Sequence, residues 1–273
     1  MSQQSSRAAR GVAGCCLLLV GCSVRQLIYP APPVRVASPP PPLEEVALPV
    51  SDGMTVSAWH FPADALPPAR PAVLFFHGNG ENLETLRQAG LFHQFGSLRV
   101  GFLAVDYPGY GRSSGRPSEE ANRQAAAAAL DWLAKRYPER SLAVCGWSLG
   151  AAVAIRLAAE RPDSLSGLVA LSAWSSLPEV GEAHFPAWLV GLLLRERYDS
   201  LSVARRIGLP ALVLHGSVDE IIPVGQGRRV AEALPASRWI EVQGAGHNDL
   251  LSRDVVWREM ARFFDGLVGE RPP

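Results

Sequence analysis

Apolar positions along this chain follow two patterns, and their alternation sets the architecture. The runs Ala72-Val73-Leu74-Phe75-Phe76 and Ala211-Leu212-Val213-Leu214 are continuously apolar. Strands buried on both faces of a parallel sheet read this way. Comparable short runs predict strands at Glu44–Pro49, Met54–Phe61, Ala72–Phe76, Val100–Val105, Leu142–Gly146, Gly167–Ser172, Ala211–His215 and Arg238–Gln243. Between them lie longer stretches with helical spacing, at Asn82–Phe95, Ser118–Arg136, Ala151–Glu160, Gly225–Ala233 and Asn248–Phe264. Ser118-Glu119-Glu120 supplies an N-cap and acids suited to a helix start. Strand–helix alternation predicts an α/β fold, a mostly parallel central sheet of about eight strands with flanking helices. The first two strands have no helix between them and predict an antiparallel hairpin at one edge. Residues 173–208 exceed a simple crossover and carry Phe185, Trp188, Leu189, Leu192 and Leu193 at one-face spacing. They predict a short helical lid over the C-terminal edge of the sheet, its apolar face packed on the sheet or roofing a substrate pocket.

Composition narrows the classes. The chain is 48% hydrophobic and 19% charged, enough for a large core, and its formal net charge is zero. Zero net charge argues against nucleic acid, which usually demands a basic face, so no nucleic-acid partner is expected. Of the four cysteines, Cys15, Cys16 and Cys22 are N-terminal and only Cys145 lies in the body. A disulfide framework is excluded there, and Cys145, within an apolar run, reads as a small core hydrophobe.

The N-terminus reads as an address. Arg7 and Arg10 precede an apolar run at 11–20, too short to span a bilayer as a helix. It ends Leu19-Val20-Gly21-Cys22, which resembles a bacterial lipobox, with Cys22 as the lipidated residue; Val12-Ala13-Gly14-Cys15 fits the pattern with almost no apolar segment ahead of it. Residues 1–21 are thus read as a lipoprotein signal peptide and 22–43, rich in proline, as a semi-rigid spacer. The folded domain is expected over 44–273. That reading implies a membrane-anchored protein of the bacterial cell envelope.

Candidate chemistry centres on serine. Gly146-Trp147-Ser148-Leu149-Gly150 matches G-x-S-x-G, and so does Gly111-Arg112-Ser113-Ser114-Gly115. Context separates them, because a nucleophile elbow needs a strand before and a helix after. Ser148 has both; Ser113 follows a turn and precedes Arg116-Pro117. A serine hydroxyl needs a base, and the base an orienting acid. His247, in the loop after the last strand, is the candidate base. Asp219, after the strand ending at His215, is the candidate acid, with Glu220 and Asp199 as alternatives. Asp249 reads as the N-cap of the last helix, and His215 as a packed core residue. Oxyanion donors are expected from the backbone of Leu149 and of Asn79 in His77-Gly78-Asn79-Gly80. Trp147 and Trp188 are candidates to line the substrate pocket. No zinc-ligand spacing or phosphate-binding loop appears, so no metal or cofactor is expected.

Together these motifs resemble the α/β-hydrolase superfamily. The ordered set is His77-Gly78-Asn79, Asp106 to Ser113, Gly146 to Gly150, His215 to Pro223 and Gly246 to Asp249. Ser217 stands where many members carry an acid. The resemblance implies a serine hydrolase that cleaves an ester or thioester of a small-molecule or lipid-like acyl substrate through an acyl-enzyme. A peptidase or amidase of the same fold and a non-catalytic binding lipoprotein are the rivals.

Overall fold

In the computed structural model, residues 25–64 and 70–267 are described; the segment read as a signal peptide, with Cys15 and Cys22, lies outside them. Eight strands form one sheet: β1 Glu44–Pro49, β2 Thr55–Phe61, β3 Ala72–Phe76, β4 Gly101–Val105, β5 Leu142–Trp147, β6 Gly167–Leu171, β7 Ala211–Gly216 and β8 Ser237–Val242. Their order is β1-β2-β4-β3-β5-β6-β7-β8. β1 pairs antiparallel with β2, as does β2 with β4, and all later pairs are parallel. Every residue of β3, β4, β5, β6 and β7 is buried. That explains their unbroken apolar runs, since helices cover both faces. β8 lies at an edge and is mostly half-buried.

The helices are α1 Leu83–Gln88, α2 Leu91–Ser97, α3 Glu119–Arg136, α4 Leu149–Glu160, α5 Leu177–Glu182, α6 Ala187–Leu193, α7 Ser200–Ala204, α8 Val224–Ala233 and α9 Asp254–Gly266. Two cores result. Leu83, Leu86, Phe95, Trp257 and Phe264 of α1, α2 and α9 pack on one face. Ala129, Leu133, Val153, Ile155 and Val230 of α3, α4 and α8 pack on the other. β3 and β5 are neighbours, yet their following helices go to opposite faces. The crevice at their C-terminal ends is the switch point at which open α/β sheets bind ligands.

Four expectations need correction. The helix predicted over 82–95 is two helices, because Gly90 adopts φ +77° between them. The last helix begins at Asp254, and Asp249 does not cap it. The predicted lid is three short helices, α5 to α7, but its apolar face does not pack on the sheet. Phe185, Trp188 and Leu192 are 56%, 71% and 64% exposed, and the residue turned inward is Val190, against Gly181. α6 has apolar side chains around most of its girth, so its sequence does not mark which side is covered. Finally, the part of 22–43 that is described is no free spacer. After a helical turn at 25–28 it lies along the domain, with Tyr29 and Val36 buried. Prolines reduce the entropy lost when such a segment is ordered, and the two apolar side chains hold it down.

Candidate active site

The sequence Val144-Cys145-Gly146-Trp147-Ser148-Leu149-Gly150 drives β5 straight into α4 with no loop between. The turn is possible only with Ser148 at φ +57° and ψ −116°, a region costly for a residue with a side chain. Both flanking glycines are sterically required. A Cβ on Gly146 would overlap the Gly150 carbonyl, and one on Gly150 would overlap that of Phe76. Leu149 is the first residue of α4, where helix N–H groups lack intrahelical acceptors.

The loops after β7 and β8 bring two more side chains to this elbow. The Ser148 hydroxyl lies 3.0 Å from His247 Nε2, and His247 Nδ1 lies 2.8 Å from Asp219 Oδ2. All three are nearly buried. The other carboxylate oxygen of Asp219 accepts the backbone N–H groups of Ile221 at 3.0 Å and Ile222 at 2.7 Å. Burial disfavours the charged carboxylate, but it is outweighed. Hydrogen bonds from His215 and His247, the charge of His247 and the Ile222 N–H hold the Asp219 carboxyl well below the usual carboxylate range. Asp219 therefore stays ionised, and it accepts the Nδ1 proton of His247, leaving Nε2 free to accept from Ser148.

His215 was read as core packing, and its burial is complete. Its Nε2 nevertheless points at the acid: it donates to Ile222 O at 2.9 Å and lies 3.2 Å from Asp219 Oδ2. The spacing of His215 and Asp219 in the H-G-x-x-D motif carried this signal. Gly227 leaves room for the ring, since a Cβ there would overlap Nδ1.

The loop after β3 is braced from several sides. The Tyr107 hydroxyl donates to His77 O at 2.7 Å, and Gly78 N–H donates to Glu81 Oε2 at 3.0 Å. The Asn79 side chain accepts from the Tyr110 hydroxyl at 2.8 Å and donates to Ile28 O in the N-terminal segment. Its amide is thus held on both sides, and its backbone N–H is the candidate oxyanion donor. Burial raises the Glu81 carboxyl from its ordinary value, opposed by the His77 charge, the Gly78 N–H and the His247 charge. Sequence reasoning missed Glu81 and the N-terminal brace.

Trp147 is buried, its ring centroid 5.5 Å from that of His247, and its ring meets the Gly78 Cα so closely that no Cβ would fit. It forms a wall between base and loop. Trp188 stands on exposed α6 instead. Ser113 is occupied structurally: its hydroxyl donates to Asp106 O at 3.0 Å and accepts from Ser57 N–H at 2.9 Å. Asp199 caps α7 through Ser202 N–H, and Glu220 is exposed. Asp249 accepts Gly246 N–H at 2.6 Å and pairs with Arg253, pinning the loop that carries His247.

Comparison with known proteins agrees with this architecture. The family described as α/β hydrolase fold matches residues 71–196. An uncharacterised protein of Mycobacterium tuberculosis is 37% identical over 92% of this chain and 91% of its own length. The chain belongs to the α/β-hydrolase family. Another similar protein is an α/β-hydrolase domain-containing protein of Arabidopsis thaliana, 27% identical over 89% of this chain and 84% of that one. Among solved structures, an esterase of Pyrococcus furiosus superposes with a TM-score of 0.70 at 20% identity, covering 88% of this chain and all of that one. At that identity the likeness is one of fold. As an α/β hydrolase, the chain places its candidate residues at the strand ends where the family's loops converge.

Proposed function

We propose that this α/β hydrolase is a serine hydrolase that cleaves a carboxylic ester or thioester through an acyl-enzyme. One observation carries the reading: Ser148, His247 and Asp219 form a continuous hydrogen-bonded chain, at 3.0 and 2.8 Å, on a strained elbow. Ser148 Oγ attacks the substrate carbonyl carbon while His247 Nε2 takes its proton. The Leu149 and Asn79 backbone N–H groups receive the developing oxyanion. The intermediate collapses, and the imidazolium returns the proton to the leaving alcohol or thiol. Water, deprotonated by His247, then releases the acid. Asp219 holds the tautomer throughout and compensates the imidazolium charge.

The acyl group is proposed to be lipid-like, and Cys22 to carry a lipid that holds the enzyme on a membrane of the cell envelope. Among the described residues no helix is long and apolar enough to cross a membrane, so attachment would fall to the N-terminal segment. The test is fluorophosphonate labelling together with turnover of esters of graded chain length. Ser148→Ala is expected to lose both, and Ser113→Ala to keep both. Strong labelling of the Ser148→Ala protein would refute the assignment. Turnover of aminoacyl amides above that of esters would favour an amidase.

A further inference from the structure

Among the described residues, the large apolar side chains open to solvent are Leu27, Val34, Phe185, Trp188, Leu192, Val218 and Ile221. Scattered singly, such residues need no explanation; gathered, they mark an interaction surface. Here they fall on three segments, each tied to a loop or lid element of the Ser148 site. Val218 and Ile221 flank Asp219. Phe185, Trp188 and Leu192 belong to α6 and its approach, which is tied to the acid loop where His184 Nε2 meets Ile221 O at 2.8 Å. Leu27 and Val34 belong to the N-terminal segment, tied to the Asn79 loop through Ile28 O and to the end of the lid by the Tyr29 and Tyr198 hydroxyls, 2.8 Å apart.

We propose that this apolar collar is a lipid-docking surface, which seats the mouth of the Ser148 site on a bilayer so that acyl chains enter from the membrane plane. The occupant follows from where the chain leads. The collar's N-terminal member is continuous with Cys22 and the apolar run at 11–20. Cys22 is five residues from Leu27, and an extended chain spans at most about 3.6 Å per residue, or about 18 Å here. Attachment through either feature would keep Leu27, the collar's N-terminal member, close to the lipid. Tryptophan, phenylalanine and leucine on and just before a short exposed helix are the side chains that enter the interfacial region of a bilayer. Docking itself does not depend on the serine hydrolase reading; delivery of substrate does.

The experiment reconstitutes the full chain into phosphatidylcholine vesicles with brominated acyl chains. Trp188 is the one strongly exposed tryptophan, the other six being buried or half-buried. The emission lost in Trp188→Phe therefore isolates it. That emission is expected to be quenched by about half or more, as a ring within the acyl boundary would be. The double variant Phe185→Gln, Leu192→Gln is expected to lose most of the quenching and about tenfold in turnover of a vesicle-borne long-chain ester, while turnover of a soluble short-chain ester stays unchanged. Vesicles that carry the protein with Trp188 unquenched would overturn the proposal. So would a dimer in solution that shields Trp188 from iodide and persists on vesicles. Quenching without any ester turnover would support docking and remove the serine hydrolase reading; turnover without quenching would do the reverse.

Discussion

Asp219→Asn tests the site with almost no change of shape. Every polar contact on this carboxylate comes from a donor: Ile221 and Ile222 N–H on one oxygen, His247 Nδ1 on the other, with His215 Nε2 at 3.2 Å from the latter. An asparagine has one acceptor oxygen to place. It belongs at the first position, since an NH2 group there would face two backbone donors that cannot turn away. The amide NH2 then faces His247. Nδ1 must become an acceptor, the ring proton moves to Nε2, and Nε2 donates to Ser148 instead of accepting from it. The base is present in the wrong tautomer. Loss of the correct tautomer in a serine–histidine–aspartate site costs about 10⁴ in kcat, equivalent to about 5.4 kcal/mol of transition-state stabilisation at 1.36 kcal/mol per tenfold. Steady-state ester hydrolysis and fluorophosphonate labelling rate should fall together, with a cooperative melt retained. Activity within tenfold of wild type, with Glu220→Gln or Asp199→Asn the damaging change instead, would refute the reasoning.

Gly227→Ala should drive the His215 ring off its site. The expected result is lower kcat with KM little changed, measured against Gly225→Ala, where a Cβ meets nothing within 4 Å. Glu81→Gln keeps an acceptor for Gly78 N–H and removes a charge that burial disfavours. Because the folded Glu81 pKa is raised above the ordinary 4.5, its charge penalises folding fully above the folded pKa, and the penalty disappears below the unfolded one. The variant should therefore melt higher than wild type near pH 8, with the difference closing towards pH 4. Gly150→Ala should abolish activity and lower the melting temperature, since the new Cβ would overlap the Phe76 carbonyl and displace the elbow; an active, stable variant would refute the close-approach argument.

Strand positions were legible because burial on both faces leaves β3 to β7 almost wholly apolar, His215 at the end of β7 being the exception, and observed ends fall within one residue of those predicted. The Ser148, Asp219 and His247 geometry was legible through chain order, each residue lying just past the C-terminal end of a parallel strand. What stayed hidden is less local. Gly90 could be read as a helix end, yet apolar spacing continues on either side of it and masks the break. α6 offered no polar stripe to orient it. His215 read as a buried residue, which it is; that its second role depends on Nε2 reaching Asp219 is a fact about how the chain turns between them.

The N-terminal segment makes the same point in stronger form. Its prolines describe an extended chain in isolation, and nothing local says whether that chain stands off or lies down. The decision rests on partners far along the sequence: Asn79, Asn82 and Tyr198, which bond Ile28 O, Val34 O and the Tyr29 hydroxyl. These bonds join the segment to the loop that carries a candidate oxyanion donor. Shifting Ile28 would release one side of the Asn79 amide, whose other side is fixed by Tyr110. A proline-rich stretch that reads as a spacer thus also braces the Asn79 loop.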